Sequence, residues 1–96
     1  MYALLLLFPL GPGMRSTAEK LGDQFSPVHR TAKGFKDEIF LADDLTGEYG
    51  SLTLWDSRED IEAFRQAAAS QLQKDLAGIA KVPPTTRVFE VYEPKP

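Results

Sequence analysis

Apolar residues run unbroken from Tyr2 to Phe8 and stop at Pro9, Gly11, Pro12 and Gly13. So short a run, bounded by breakers, predicts a strand buried on both faces rather than a helix. Ser16-Thr17-Ala18-Glu19 then matches a capping box, and Ala18, Leu21, Phe25 and Val28 follow at helical spacing. Pro27 interrupts that pattern. Ser26 before it is expected to cap a second short helix with Pro27 at its first position, and Gly34 to close the helical region in the left-handed conformation.

Phe35 to Ala42 alternates imperfectly around Ile39, Phe40 and Leu41, and Asp43 to Gly47 is rich in turn formers. Tyr49 to Trp55 alternates again, so the two segments predict a hairpin. Ser57-Arg58-Glu59-Asp60 opens a long helix whose stripe is Ile61, Phe64, Ala68, Leu72, Leu76 and Ile79. Gly78 ends or breaks it, and Pro83-Pro84 forbids its continuation. Thr86 to Tyr92, β-branched and aromatic, predicts a last strand.

Strand, helix, strand, strand, helix, strand is the order of the ferredoxin-like split βαβ arrangement, an α+β fold with a four-stranded antiparallel sheet. The first and third strands, the most apolar, are expected at its centre. Lys36, Asp37 and Glu38 on the second strand, and Arg87 and Glu90 on the fourth, suit exposed edges. Two helices cover one sheet face, yet the strands are apolar on both. The uncovered face therefore predicts a second subunit laid sheet to sheet, a homodimer. Leu52 and Leu54 are the better candidates for the helix side and the Tyr49 to Trp55 parity for the partner, with Trp55 able to anchor either core.

At 96 residues the chain makes one small domain, over 1–96. A net charge of −3 without a basic block excludes a nucleic-acid footprint. The absence of cysteine removes thiolate chemistry and suits a reducing, cytoplasmic location. The opening MYALLLLFPL has neither a basic start nor a cleavage site and is too short to span a membrane.

Gly34-Phe35 opening the second strand, Leu52-Thr53-Leu54-Trp55-Asp56-Ser57 leading straight into a helix with an acidic start, and the final Arg87-Val88-Phe89-Glu90-Val91-Tyr92 resemble the antibiotic biosynthesis monooxygenase family of dimeric α/β barrels. The resemblance covers nearly the whole chain. It implies a homodimer with a hydrophobic cavity between sheet and helices in each subunit. It also implies a choice among activities: cofactor-free oxygenation of quinol or anthrone-like aromatics, haem degradation, or none. Haem-degrading members use an asparagine on the first strand and a tryptophan and histidine on the second helix. This chain has no asparagine, and those helix positions fall on Phe64 and near Lys74. A protonated lysine has no lone pair for iron, so no cofactor is expected.

His29 is the sole histidine. At helical spacing from Leu21 and Phe25 it is the candidate base for a phenolic substrate, with an ordinary pKa near 6.5; otherwise it is a half-exposed residue at a helix end. Phe40, Tyr49, Trp55 and Phe64 are the candidate substrate-binding walls, with core or interface packing as the alternative for each. Arg65 is read as solvated or paired with Glu62. No metal-ligand set is evident, and Asp43, Asp44 and Glu48 fit turn chemistry rather than a calcium loop. Gly11-Pro12-Gly13 lacks the lysine of a phosphate cradle. The expectation is a cofactor-independent monooxygenase for a small hydrophobic aromatic molecule. The alternative is a non-catalytic ligand-binding or stress-associated protein of the same fold.

Overall fold

The computed structural model describes residues 1–77 and 84–94. In order they form β1 (Tyr2–Pro9), α1 (Arg15–Arg30), β2 (Phe35–Asp43), β3 (Glu48–Trp55), α2 (Arg58–Leu76) and β4 (Thr85–Glu90). The strands make one antiparallel sheet in the order β2-β3-β1-β4, so the apolar first and third strands are central as expected. The expected roles of Gly78, Ile79 and Pro83, and the packing of Leu76, fall outside what is described.

Both helices lie on one face. Tyr2, Leu4, Leu6 and Phe8 of β1 oppose Trp55, Thr53, Ser51 and Tyr49 of β3 on that face. Two apolar clusters hold the layers together. Phe8, Leu21 and Tyr49 pack with Leu6, Met14, Ala18 and Leu72. Leu4, Trp55 and Ile61 pack with Phe35, Phe64 and Val88. The assignment of Leu52 and Leu54 to the helix side is thereby reversed. Tyr49, Ser51, Thr53 and Trp55 are the buried parity, because the two large rings join the clusters that hold Leu21 of α1 and Ile61 of α2. Leu52 and Leu54 share the open face with Leu5, Leu7, Ile39, Leu41 and Phe89.

Local signals differ from expectation in α1. Ser16 lies inside the helix, Met14 is the N-cap residue, and no side chain caps it. The helix passes unbroken through Pro27. Ser26 starts no second helix, because its hydroxyl donates to Glu38 Oε1 instead. The helix ends at Arg30 with Thr31 as its C-cap. Gly34, left-handed at φ 83°, serves the turn into β2 rather than the helix end. α2 starts as read: Ser57 Oγ accepts from the Asp60 N–H at 3.1 Å, and Glu59 and Asp60 put acidic charge at the positive end of the helix dipole.

The β2–β3 turn is held by Asp43, whose Oδ1 accepts from the N–H groups of Leu45 at 3.0 Å and Thr46 at 3.3 Å. Those N–H groups hold the Asp43 carboxyl below its usual pKa. Gly47 closes the turn at φ 79°, and a Cβ there would fall onto the backbone of Gly11, whose N–H donates to the Gly47 carbonyl at 3.1 Å.

Candidate functional site

Between the helices and the covered sheet face lies a cavity of about 880 Å³. Leu4, Leu6 and Phe8 of β1 and Tyr49, Ser51 and Thr53 of β3 form its floor, and Leu21, Phe25, Phe64, Ala68 and Leu72 its helical walls. It is large enough for a fused-ring ligand and lined mainly by carbon, the usual make-up of a small-molecule site.

His29 lines this cavity from the last turn of α1. It is buried rather than half exposed, and rings surround it: Phe64 at 4.8 Å, Phe35 at 6.1 Å, Phe25 at 6.4 Å and Trp55 at 6.5 Å between centroids. Its Nδ1 lies 3.0 Å from Glu38 Oε2, with the side chains 8% and 7% exposed. The pair is out of line for a well-formed hydrogen bond, both atoms are sealed from solvent, and neither has another partner. Glu38 Oε1 accepts from Ser26, and Arg30 Nε lies 4.0 Å from it at the surface. Burial lowers the His29 pKa from its ordinary value. The Glu38 charge and contact pull it up without overcoming burial. The imidazole is therefore neutral near pH 7, the form in which it accepts a proton.

β2 is an edge strand as expected, but Glu38 does not suit that exposed edge, because its side chain turns inward. The pairing with β3 slips at Lys36, between Phe35 and Asp37. That bulge puts Phe35, Glu38 and Phe40 on the covered face, opposite Trp55, Thr53 and Ser51. The sequence carries no signal for a one-residue slip, so Glu38 escapes a reading based on alternation. Only its adjacency to Ile39-Phe40, beneath a helix bearing Ser26 and His29, hints at an inward carboxylate.

The other candidates fall at different depths. Phe40 lies on the cavity wall under Gly22 of α1, where an added Cβ would stand 3.0 Å from its ring. Phe64 faces the cavity between His29 and Trp55. Trp55 stands behind that wall, fully enclosed, its Nε1 donating to Thr53 Oγ1 at 2.8 Å. Tyr49 closes the hairpin end, its hydroxyl donating to Asp44 Oδ1 at 3.2 Å. Burial and that carboxylate raise its pKa, so the phenol keeps its proton. Asp44 also takes Arg15 Nη1 at 2.9 Å. Arg65 reaches the cavity edge, donating to Glu62 at 3.3 Å and to Thr86 of β4 at 3.0 Å. Among the described residues no three His, Asp or Glu side chains gather as a metal site, and no helix is long and apolar enough to cross a membrane.

Fold and site together define a class: ferredoxin-like α+β domains with an apolar cavity between sheet and helices. The known structures of that class carry the more particular likeness. The chain is similar to a Bordetella bronchiseptica protein provisionally assigned as an antibiotic biosynthesis monooxygenase, at 17% identity over 96% of this chain and 97% of that one, with TM-score 0.78. It is similar to a Streptomyces coelicolor monooxygenase solved with nanaomycin D, at 17% identity, 98% and 89% coverage and TM-score 0.75. A cofactor-independent oxygenase from Streptomyces nogalater matches at 13% identity, 99% and 96% coverage and TM-score 0.75. No family model built from sequences matches the chain, and no curated protein does. The chain has the fold of the antibiotic biosynthesis monooxygenases.

Proposed function

We propose that the protein is a cytoplasmic, homodimeric, cofactor-independent monooxygenase acting on a hydrophobic quinol or anthrone-like aromatic. The observation that carries this reading is a buried, neutral His29 on the wall of an apolar cavity, backed by a carboxylate. His29 takes the acidic proton of the substrate, and the resulting anion is electron-rich enough to reduce dioxygen. In an anthrone the ring CH₂ becomes C=O. One oxygen atom of O₂ enters the product, and the other leaves as water with the two hydrogens. The protein supplies a base, orientation and exclusion of water. The similar folds solved with nanaomycin D and named as a cofactor-independent oxygenase support this choice over passive ligand storage.

The test is oxygen uptake by purified protein with reduced quinols and anthrones, without added metal, flavin or haem. Wild type is expected to exceed the spontaneous rate. His29→Gln, whose amide still donates toward Glu38, is expected to lose about 10²-fold or more in kcat. Binding of these compounds without uptake would leave a ligand-binding protein.

A further inference from the structure

The reading of His29 as a base leaves open what decides which ring nitrogen faces the substrate. We propose that Glu38 is the positioning residue of the site: its carboxylate holds the proton of His29 on Nδ1, so the imidazole presents the Nε2 lone pair to the cavity. The inference rests on the oxygenase reading only for its effect on turnover.

Three observations meet here. First, Nδ1 and Glu38 Oε2 are 3.0 Å apart, each sealed from solvent and each lacking any other partner. Buried polar atoms are satisfied with few exceptions, so each has only the other. Second, an ionised carboxylate only accepts. A lone pair on Nδ1 facing Oε2 would repel it, and N–H is the attractive arrangement. Third, Glu38 is itself held. Ser26 donates to Oε1, and Arg30 approaches the same oxygen from the surface at 4.0 Å. Ser26, His29 and Arg30 stand three and four residues apart on α1, so one helix face delivers the hydroxyl, the imidazole and the guanidinium to a single carboxylate. His29 lines the cavity, and with Nδ1 sealed against Glu38, Nε2 is the nitrogen left to serve it.

Glu38 is the charged group that bears on the imidazole. Phe25 of α1, Phe35 of β2, Trp55 of β3 and Phe64 of α2 surround it with carbon. Arg65 of α2 is turned to Glu62 and Thr86, and Lys36 of β2 to Asp56 at 3.1 Å. When Nε2 takes the substrate proton, the imidazolium forms against a carboxylate already in place. The same buried charge makes the cavity take its aromatic ligand as the neutral hydroxy or CH₂ form and disfavours ligands that arrive as anions.

The lone histidine makes the test direct. In ¹⁵N-labelled protein without substrate, long-range ¹H–¹⁵N spectra at alkaline pH are expected to show His29 protonated on Nδ1. Glu38→Ala is expected to shift the proton to Nε2. Glu38→Gln, which keeps an acceptor oxygen but no charge, is expected to move the His29 titration midpoint further down. In turnover, the acid limb of the kcat profile then moves with that midpoint while KM changes little, and Glu38→Ala loses about 10²-fold in kcat. A wild-type His29 protonated on Nε2, or a midpoint that stands still in Glu38→Gln, overturns the proposal. If the imidazole behaves as expected but no quinol or anthrone consumes oxygen, the positioning role stands and the oxygenase reading falls.

Discussion

At the scale of single residues, the burial that keeps His29 neutral has a thermodynamic counterpart. The unfolded chain protonates its histidine near pH 6.5, whereas the folded protein resists until a lower pH. Above about pH 6.5 neither form is charged and the contribution is constant. Below it the unfolded state binds more protons, so stability falls, by at most about 1.4 kcal/mol per pH unit for one group. Urea unfolding between pH 7.5 and 5 is expected to show this loss, and His29→Gln to flatten it. A slope unchanged in the variant would place the titrating group elsewhere. Asp43, also depressed in pKa, acts only from about pH 4 downward. His29 was legible as a candidate because it is the lone histidine on an apolar helical stripe. Glu38 was not, because its inward aim depends on the slip at Lys36, which no alternation pattern records.

Between residue and molecule stand the elements. α1 contains Pro27 well inside its span, removing the N–H that would bond the Asp23 carbonyl. The helix tolerates the proline on its exposed side, where Asp23 and Pro27 both lie at the surface. The proline sits between Ser26 and His29, the two side chains α1 sends to Glu38. Pro27→Ala is expected to stabilise the protein by about 2 kcal/mol, the interior cost of proline less its restriction of the unfolded chain. Chemical denaturation measures that gain, and a destabilised variant would show that the ring is required for the local backbone path. Strand and helix order, the α2 stripe and the Ser57 cap were readable because each is a local, periodic signal. The continuity of α1 was not, because Ser26 can cap a helix or serve a distant carboxylate, and only the packed sheet decides between them.

For the whole molecule, the uncovered sheet face carries Ile39 at 52%, Phe89 at 47% and Leu41 at 38% exposure around the less exposed Leu5, Leu7, Leu52 and Leu54. So broad an apolar surface suits a second copy, and stable interfaces bury about 1,600 Å² in total. Sedimentation is expected to give twice the chain mass at micromolar concentration. Leu52→Asp, on a central strand of that face, is expected to return it to the chain mass with the fold intact. A monomeric wild type would refute the dimer. The two-sided apolarity of the strands was plain in the sequence. Which parity faced the helices was not, because alternating positions 49 to 55 are apolar enough on either side and the packing of Tyr49 with Leu21 and of Trp55 with Ile61 appears only in the folded layers.

His29 and Glu38 stand on α1 and its neighbour β2, while α2 gives the cavity Phe64 beside His29 and, further along, Ala68, Ala69 and Leu72. The division of labour makes one half of the site a chemical module and the other a mould. Beyond Phe64, side chains on the mould can change size and admit ligands of another outline without disturbing the His29–Glu38 pair. A cavity partitioned in this way can change its selectivity through the far part of α2 while the proposed base and its carboxylate stay in place.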